Sequence, residues 1–316
     1  MKGHAPRVVS LLPAATEIVA ALGFADALVG RSHECDFPEE VESLPVCTEA
    51  KLDPSQPSAG IHRSVGALLS EALSVYRVDA ERLRALAPTH VVTQVQCEVC
   101  AVSLAEVSAA LAGWVGKRPD LVPLNPGSLA DVFADIERVA SALGAPERGR
   151  RLVQNLRARM DAIAERAAAR TPRPRVVTLE WLSPLMTAGN WMPELVRMAG
   201  ADDLLGEPGR HSSWLEWESV RSADPDVLIA FPCGFSLGRV EQEAAVLPSL
   251  PGWRDLAAVR AGRVYLAEAK KYFNRPGPRL AETLEILAEM LHPDAFAFGH
   301  EGRAWRSLEP ASLRAP

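Results

Sequence analysis

Cysteine is scarce in this chain, five in 316 residues, and an odd number scattered through a large protein does not make a disulfide framework. Reduced thiols are the expectation. Concentrated positive charge is missing too. With a formal net charge of -6 and no segment rich in Lys and Arg, a nucleic-acid partner is excluded, because phosphate binding needs clustered cations. Long apolar runs are absent. The N-terminal stretch MKGHAPRVVSLLPAATEIVAALGF is broken by Pro6, Pro13 and Glu17, and its apolar pieces are too short for a signal core or a membrane span. From this a cytoplasmic protein is expected. Neither a P-loop nor GxGxxG occurs, so nucleotide binding has no support. Aromatic residues make up only 6% of the chain, which makes any local concentration of them informative.

What is present is a soluble globular composition, 48% hydrophobic and 23% charged, at a length that exceeds one ordinary core and predicts about two domains. Apolar, β-rich runs alternate with helical patterns, the signature of βαβ units and parallel sheets. Strands are predicted at 7–12, 26–32 and 89–94, with helices at 14–23 and 80–88. The second half repeats the plan: RPRVVTLEW (173–181) mirrors APRVVSLLP (5–13), and ESVRSADPDVLIAF (218–231) mirrors ERLRALAPTHVVTQ (81–94). Between the halves, 128–170 has no strand pattern, and Leu152, Leu156, Met160 and Ile163 recur at helical spacing. The predicted organisation is an N-terminal lobe over 1–127, a helical connector over 128–170 containing one long rigid helix, and a C-terminal lobe over 171–316. A ligand cleft is expected between the lobes. A last helix is read within 277–293, followed by a tail of strapping or disorder.

In open parallel sheets ligands bind beyond the carboxyl ends of the strands, and the unusual clusters fall there. HEC (33–35) and QCEVC (96–100) follow strands of the first lobe. Cys97 and Cys100 form a CxxC, which is half of a zinc ribbon, a redox pair, or two small residues at a helix start. Together with Cys35 and His33 they are candidates to hold a soft metal ion. In the second lobe the strand-end segments carry Trp181, Trp191, Phe231, Phe235, Tyr272 and Phe273. Flat aromatic faces suit a large planar or greasy ligand, with Arg275 and Asn190 placed to fix its polar edge. Phe231, at a strand end, reads equally well as core. Cys47 and Cys233 read as packed small residues, and Ser212 and Ser213 as helix N-cap residues.

The two βα lobes, the connecting helix, SLLPAATEIVAALG and RLRALAPTHVV together resemble the helical-backbone (class III) substrate-binding proteins of ATP-driven importers, over nearly the whole chain. Blocks such as HECDFP, CEVCAVS, EWLSPLMTAGNW, PCGF and YFNRPGPRL are most similar to the cobalamin-binding group. The resemblance implies a non-enzymatic protein that binds a corrinoid such as cobalamin in the cleft, for uptake or intracellular delivery. It also implies that Pro13 and the second-lobe aromatics wall the ligand. His33, Cys35, Cys97 and Cys100 depart from the family pattern. Alternatives are a haem or ferric-siderophore binder and a CxxC- or metal-dependent redox or corrinoid-processing enzyme. Glu81 and Glu218 occupy matching repeat positions, and the resemblance implies that they dock onto an ABC permease. A monomer is expected.

Overall fold

The computed structural model describes residues 5–70, 75–95, 104–111, 114 and 116–308. The chain divides into two compact units: residues 1–56, 60–126 and 130–155 form one, and residues 57–59, 127–129 and 156–316 the other.

Unit 1 is built on a four-stranded parallel sheet of order β2-β1-β5-β6, from β1 (Val8–Ser10), β2 (Leu28–Arg31), β5 (His90–Gln94) and β6 (Asp120–Leu124). A small antiparallel pair, β3 (Thr48–Ala50) with β4 (Tyr76–Val78), lies apart from it. Its helices are α1 (Pro13–Ala21), α2 (Ser58–Ser70), α3 (Ala80–Leu86), α4 (Leu104–Ala110) and α5 (Leu129–Ala142). Pro13 opens α1, where its missing N–H is no loss and its fixed φ suits the helix. The core gathers Val9, Leu11, Leu83 and Val91 with Cys47. Burial pushes the Cys47 thiol up to about 11, so it stays protonated and behaves as a small apolar residue.

Then comes α6 (Pro146–Ala168), the longest helix among the described residues. The boundary between the units falls inside it, at Asn155 and Leu156. Its buried stripe is Val153, Leu156, Met160, Ile163 and Ala167, so Val153 takes the place expected of Leu152.

Unit 2 holds a seven-stranded mixed sheet. Its parallel centre is β7 (Arg175–Leu182), β11 (Val227–Ala230) and β12 (Val264–Ala267). Antiparallel strands β8 (Leu185–Thr187), β10 (Ser213–Trp214) and β13 (Trp305–Ser307) extend its edges, and the short β9 (Asp202–Asp203) pairs with β7. The helices are α7 (Met192–Met198), α8 (Trp217–Ala223), α9 (Leu237–Ala244), α10 (Ala257–Arg260) and α11 (Leu280–Leu291). Two sequence expectations are corrected here. Segment 212–213 is not a helix cap but the entry to β10, and the tail is not mere strapping, since β13 pairs with β12 through Ala267 and Trp305.

Helix α11 is buried all round, Glu285 and Glu289 included. Buried carboxylates persist only when partnered. Arg159 of α6 lies 2.7 Å from Glu285, His300 Nε2 lies 3.1 Å from its other oxygen, and Trp305 Nε1 donates to Glu289 at 3.0 Å.

The internal repeat has a local signature. Both α3 and α8 are seven residues long, and they end on left-handed non-glycine residues, Ala87 (φ 44°) and Asp224 (φ 38°), directly before Pro88 and Pro225. A residue before proline is pushed out of the right-handed helical region, so a left-handed residue followed by proline ends both helices ahead of β5 and β11.

Candidate functional site

In unit 1 the HEC segment is a loop leaving β2, held by side-chain oxygens. Thr48 Oγ1 accepts the His33 backbone N–H at 3.1 Å and sits 2.8 Å from His33 Nδ1, while its own hydroxyl donates to Ser32 Oγ at 3.0 Å. His33 also packs against Tyr76, ring centroids 5.5 Å apart. Cys35 is turned inward, 1% exposed, with Thr16 Oγ1 3.0 Å from its sulfur and 2.8 Å from Ser10 Oγ. Pro13, half-buried, starts α1 next to this hydroxyl string. Cys97 and Cys100 lie outside the described residues. Among the described residues no group of three or more His, Cys, Asp or Glu side chains is placed to hold a metal.

In unit 2 the aromatic residues do come together. Trp181 and Phe235 meet at 5.4 Å, and Phe231 stacks on Phe273 at 4.7 Å. Trp191, next to the start of α7, donates its indole N–H to the Phe273 carbonyl at 3.3 Å. Arg239 lies over the Phe235 ring at 3.7 Å and Arg279 over Tyr272 at 4.4 Å. Phe231 and Phe273 are 0% exposed and belong to the core that supports the face. Trp181 is a strand residue rather than a loop residue, because β7 runs on to Leu182 and folds back into β8. Phe235, Trp191 and Arg275 are buried, whereas Tyr272 is half-exposed. Tyr272 sits in a single π-helical turn, Ala269–Phe273, a form that recurs at functional positions.

The residue that sequence reasoning missed is Glu180. The β7–β8 register slips between Leu179 and Trp181, so Glu180 is the extra residue of a β-bulge, a device that re-aims a side chain. One of its carboxylate oxygens accepts the Ser212 hydroxyl and the other accepts Asn274 Nδ2 at 2.9 Å. Ser212 Oγ in turn accepts the Gly189 N–H at 3.1 Å, and the Cys233 N–H bonds the Glu180 carbonyl at 3.0 Å. Four strand-end segments of unit 2 thus converge on one acidic residue. The available signal was a single charge inside the otherwise uncharged run VVTLEWL; the bulge that aims it has no sequence mark. Nearby Asp203 accepts N–H bonds from Leu205 and Gly206 and the Thr178 hydroxyl, and burial raises its pKa above the usual carboxylate range.

Glu81 and Glu218 both stand in the first turn of their helices and are exposed. Glu218 pairs with Arg221 of its own helix at 2.7 Å.

The periplasmic binding protein family model matches residues 8–270. An uncharacterised ABC transporter substrate-binding lipoprotein of Bacillus subtilis is 24% identical over 304 residues, 94% of this chain and 83% of that protein. A vitamin B12-binding protein of Vibrio campbellii is 23% identical over 238 residues, covering 72% of this chain and 71% of that one. Among solved structures, a periplasmic heme-binding protein from Roseiflexus, in apo form, superposes with TM-score 0.68 at 25% identity, over 92% of this chain and all (100%) of that one. These relatives overturn the cytoplasmic expectation: one is named a lipoprotein and another is periplasmic. The inference from the N-terminal composition does not stand, because short apolar pieces in a stretch of sequence do not fix a protein's compartment. The two-lobed α/β architecture and the family agree: the chain belongs to the periplasmic binding proteins, the substrate-binding components of ABC transporters rather than enzymes.

Proposed function

We propose that this protein captures a metal chelate outside the cytoplasm for an ABC importer, and that the chelate is a corrinoid of the cobalamin type. The observation that carries the reading is the strand-end face of unit 2. There Trp181, which follows Glu180 in β7, meets Phe235, the Phe231–Phe273 stack lies in the core, and Asn274, which bonds Glu180, ends the π-helical turn that carries Tyr272. Parallel sheets take ligands at this edge. A tetrapyrrole-sized ring gains from aromatic area, while its substituted rim needs fixed polar partners. A relative named for vitamin B12 supports the corrinoid. A relative named for heme makes haem the second reading, with the same ring area but a rim bearing propionates. On unit 1, Pro13 and the His33 loop are the counterpart proposed to touch the ligand. Glu81 and Glu218, equivalent and exposed, are proposed to orient the encounter with the permease, a role suited to rim charges.

Titration of the purified protein with cyanocobalamin, dicyanocobinamide, hemin and a ferric hydroxamate siderophore, followed by visible spectra, tests the reading. Saturable one-to-one binding of a corrinoid is expected. Binding of hemin or the siderophore with no corrinoid binding would replace the ligand and keep the class.

A further inference from the structure

The Glu180 centre has more definite chemistry than aromatic area alone. A carboxylate only accepts hydrogen bonds, whereas an amide both donates and accepts. Here the carboxylate sits on a bulge, half-exposed, and its two oxygens accept bonds from Ser212 and Asn274, which come from two other segments. Those segments are themselves fixed. Ser212 is tied to the Gly189 N–H, and a Cβ at Gly189 would come within 2.2 Å of the Arg210 carbonyl oxygen, so only glycine lets the two segments approach this closely. Asn274 directly follows the π-helical turn that Trp191 grips through the Phe273 carbonyl. A second acceptor lies beside the first: Asn274 Oδ1 is buried and has no hydrogen-bond partner among the described residues. Asn274 Oδ1 is therefore an acceptor that a donor from outside these segments would satisfy.

The rims of the two ligand types differ in the same property. A corrinoid carries primary amides, which donate; haem carries propionates, which are anionic acceptors. We infer that Glu180, positioned by Ser212 and Asn274, is the specificity-determining residue of the site, accepting N–H bonds from rim amides and selecting against rim carboxylates. This rests on the corrinoid reading above and adds to it the atom that tells the ligand classes apart.

The test compares dicyanocobinamide with its separated monocarboxylate isomers, each lacking one amide, by calorimetry on the wild type and on Glu180→Gln. At least one isomer is expected to bind the wild type roughly tenfold more weakly than the full amide, as suits loss of one hydrogen bond to a charged group. In Glu180→Gln that gap should close. Ser212→Ala, which frees one oxygen of the carboxylate, should give an intermediate gap, and melting curves of both variants establish that they are folded. If every isomer binds the wild type as tightly as the full amide, or if Glu180→Gln keeps the gap, the inference fails while the corrinoid reading stands. If no corrinoid binds the wild type, both fall.

Discussion

Units 1 and 2 share a repeated βα plan, down to the proline-stopped helices α3 and α8, but their strand-end segments are held by different chemistry. In unit 1 the loop after β2 is stitched by short hydroxyls and a buried thiol, Ser10 with Thr16 and Cys35, and Ser32 with Thr48 and His33. In unit 2 the corresponding edge is stitched by one carboxylate and a set of rings. The difference follows from the sheets. Unit 1 has four parallel strands, whereas β7 of unit 2 continues into antiparallel partners, and the bulge that aims Glu180 exists only where β8 pairs with that continuation. The repeated part of the fold supplies the scaffold, and the added strands supply the polar centre at Glu180.

The largest expected effect concerns the Phe231–Phe273 stack, which supports the unit 2 face from within the core. Phe273→Ala should cost about 3–5 kcal/mol of stability, the cost of truncating a fully buried aromatic, and lower the melting temperature without any ligand present. A near-silent variant would mean the Phe231–Phe273 stack is not core.

Two buried titratable groups, Asp135 and His292, carry the next effects. Asp135 of α5 accepts the Asn125 N–H at 2.9 Å and pairs with Arg138, yet burial outweighs both and lifts its pKa to about 6. A raised carboxyl pKa means the folded state holds the proton more tightly, so its stabilising contribution is present below about pH 4 and is lost as pH rises to about 6. Asp135→Asn should therefore melt close to wild type near pH 4 and higher at pH 7, by up to about 3 kcal/mol from a shift of this size. Melting temperatures across pH 4–7 check it; a constant difference would contradict it. His292 acts in the opposite sense. Burial lowers its pKa, so the stability it provides when neutral is full above about pH 6.5 and is lost as pH falls below that value.

How much of this was legible in the sequence differs between the units for the same reason. The helices and parallel strands were readable because their signals are local: Pro13 opening α1, Pro88 and Pro225 closing α3 and α8, and the apolar stripe of α6. The aromatic cluster was readable from composition. Glu180, Ser212 and Asn274 were not, because they are 32 and 94 residues apart along the chain and meet only through a register slip and a hairpin. The serine pair read as a helix cap since a cap and an edge strand use the same residue types, and the tail strand β13 lacked the length for a period to show.

Smaller effects test unit 1. Thr16→Val keeps the shape but removes the hydroxyl between Ser10 and Cys35, and should cost about 1 kcal/mol, with the Cys35 thiol becoming faster to label with a maleimide reagent. Unchanged stability and labelling would mean the hydroxyl string does not hold the loop. Least of all should change in Glu81→Ala with Glu218→Ala: both sites are exposed, so stability and ligand affinity should move by less than about 0.5 kcal/mol, while uptake through the cognate permease falls. Normal uptake would reduce the two residues to helix-end charges.

Under the proposed function, ligand recognition sits on the strand-end segments of unit 2. Amide hydrogen exchange with and without saturating dicyanocobinamide tests it most directly. New protection is expected over 179–191, 209–214, 231–236 and 269–275, with the backbone around Glu180 among the most strongly affected. Binding that protects other surfaces and leaves those four segments unchanged would contradict it.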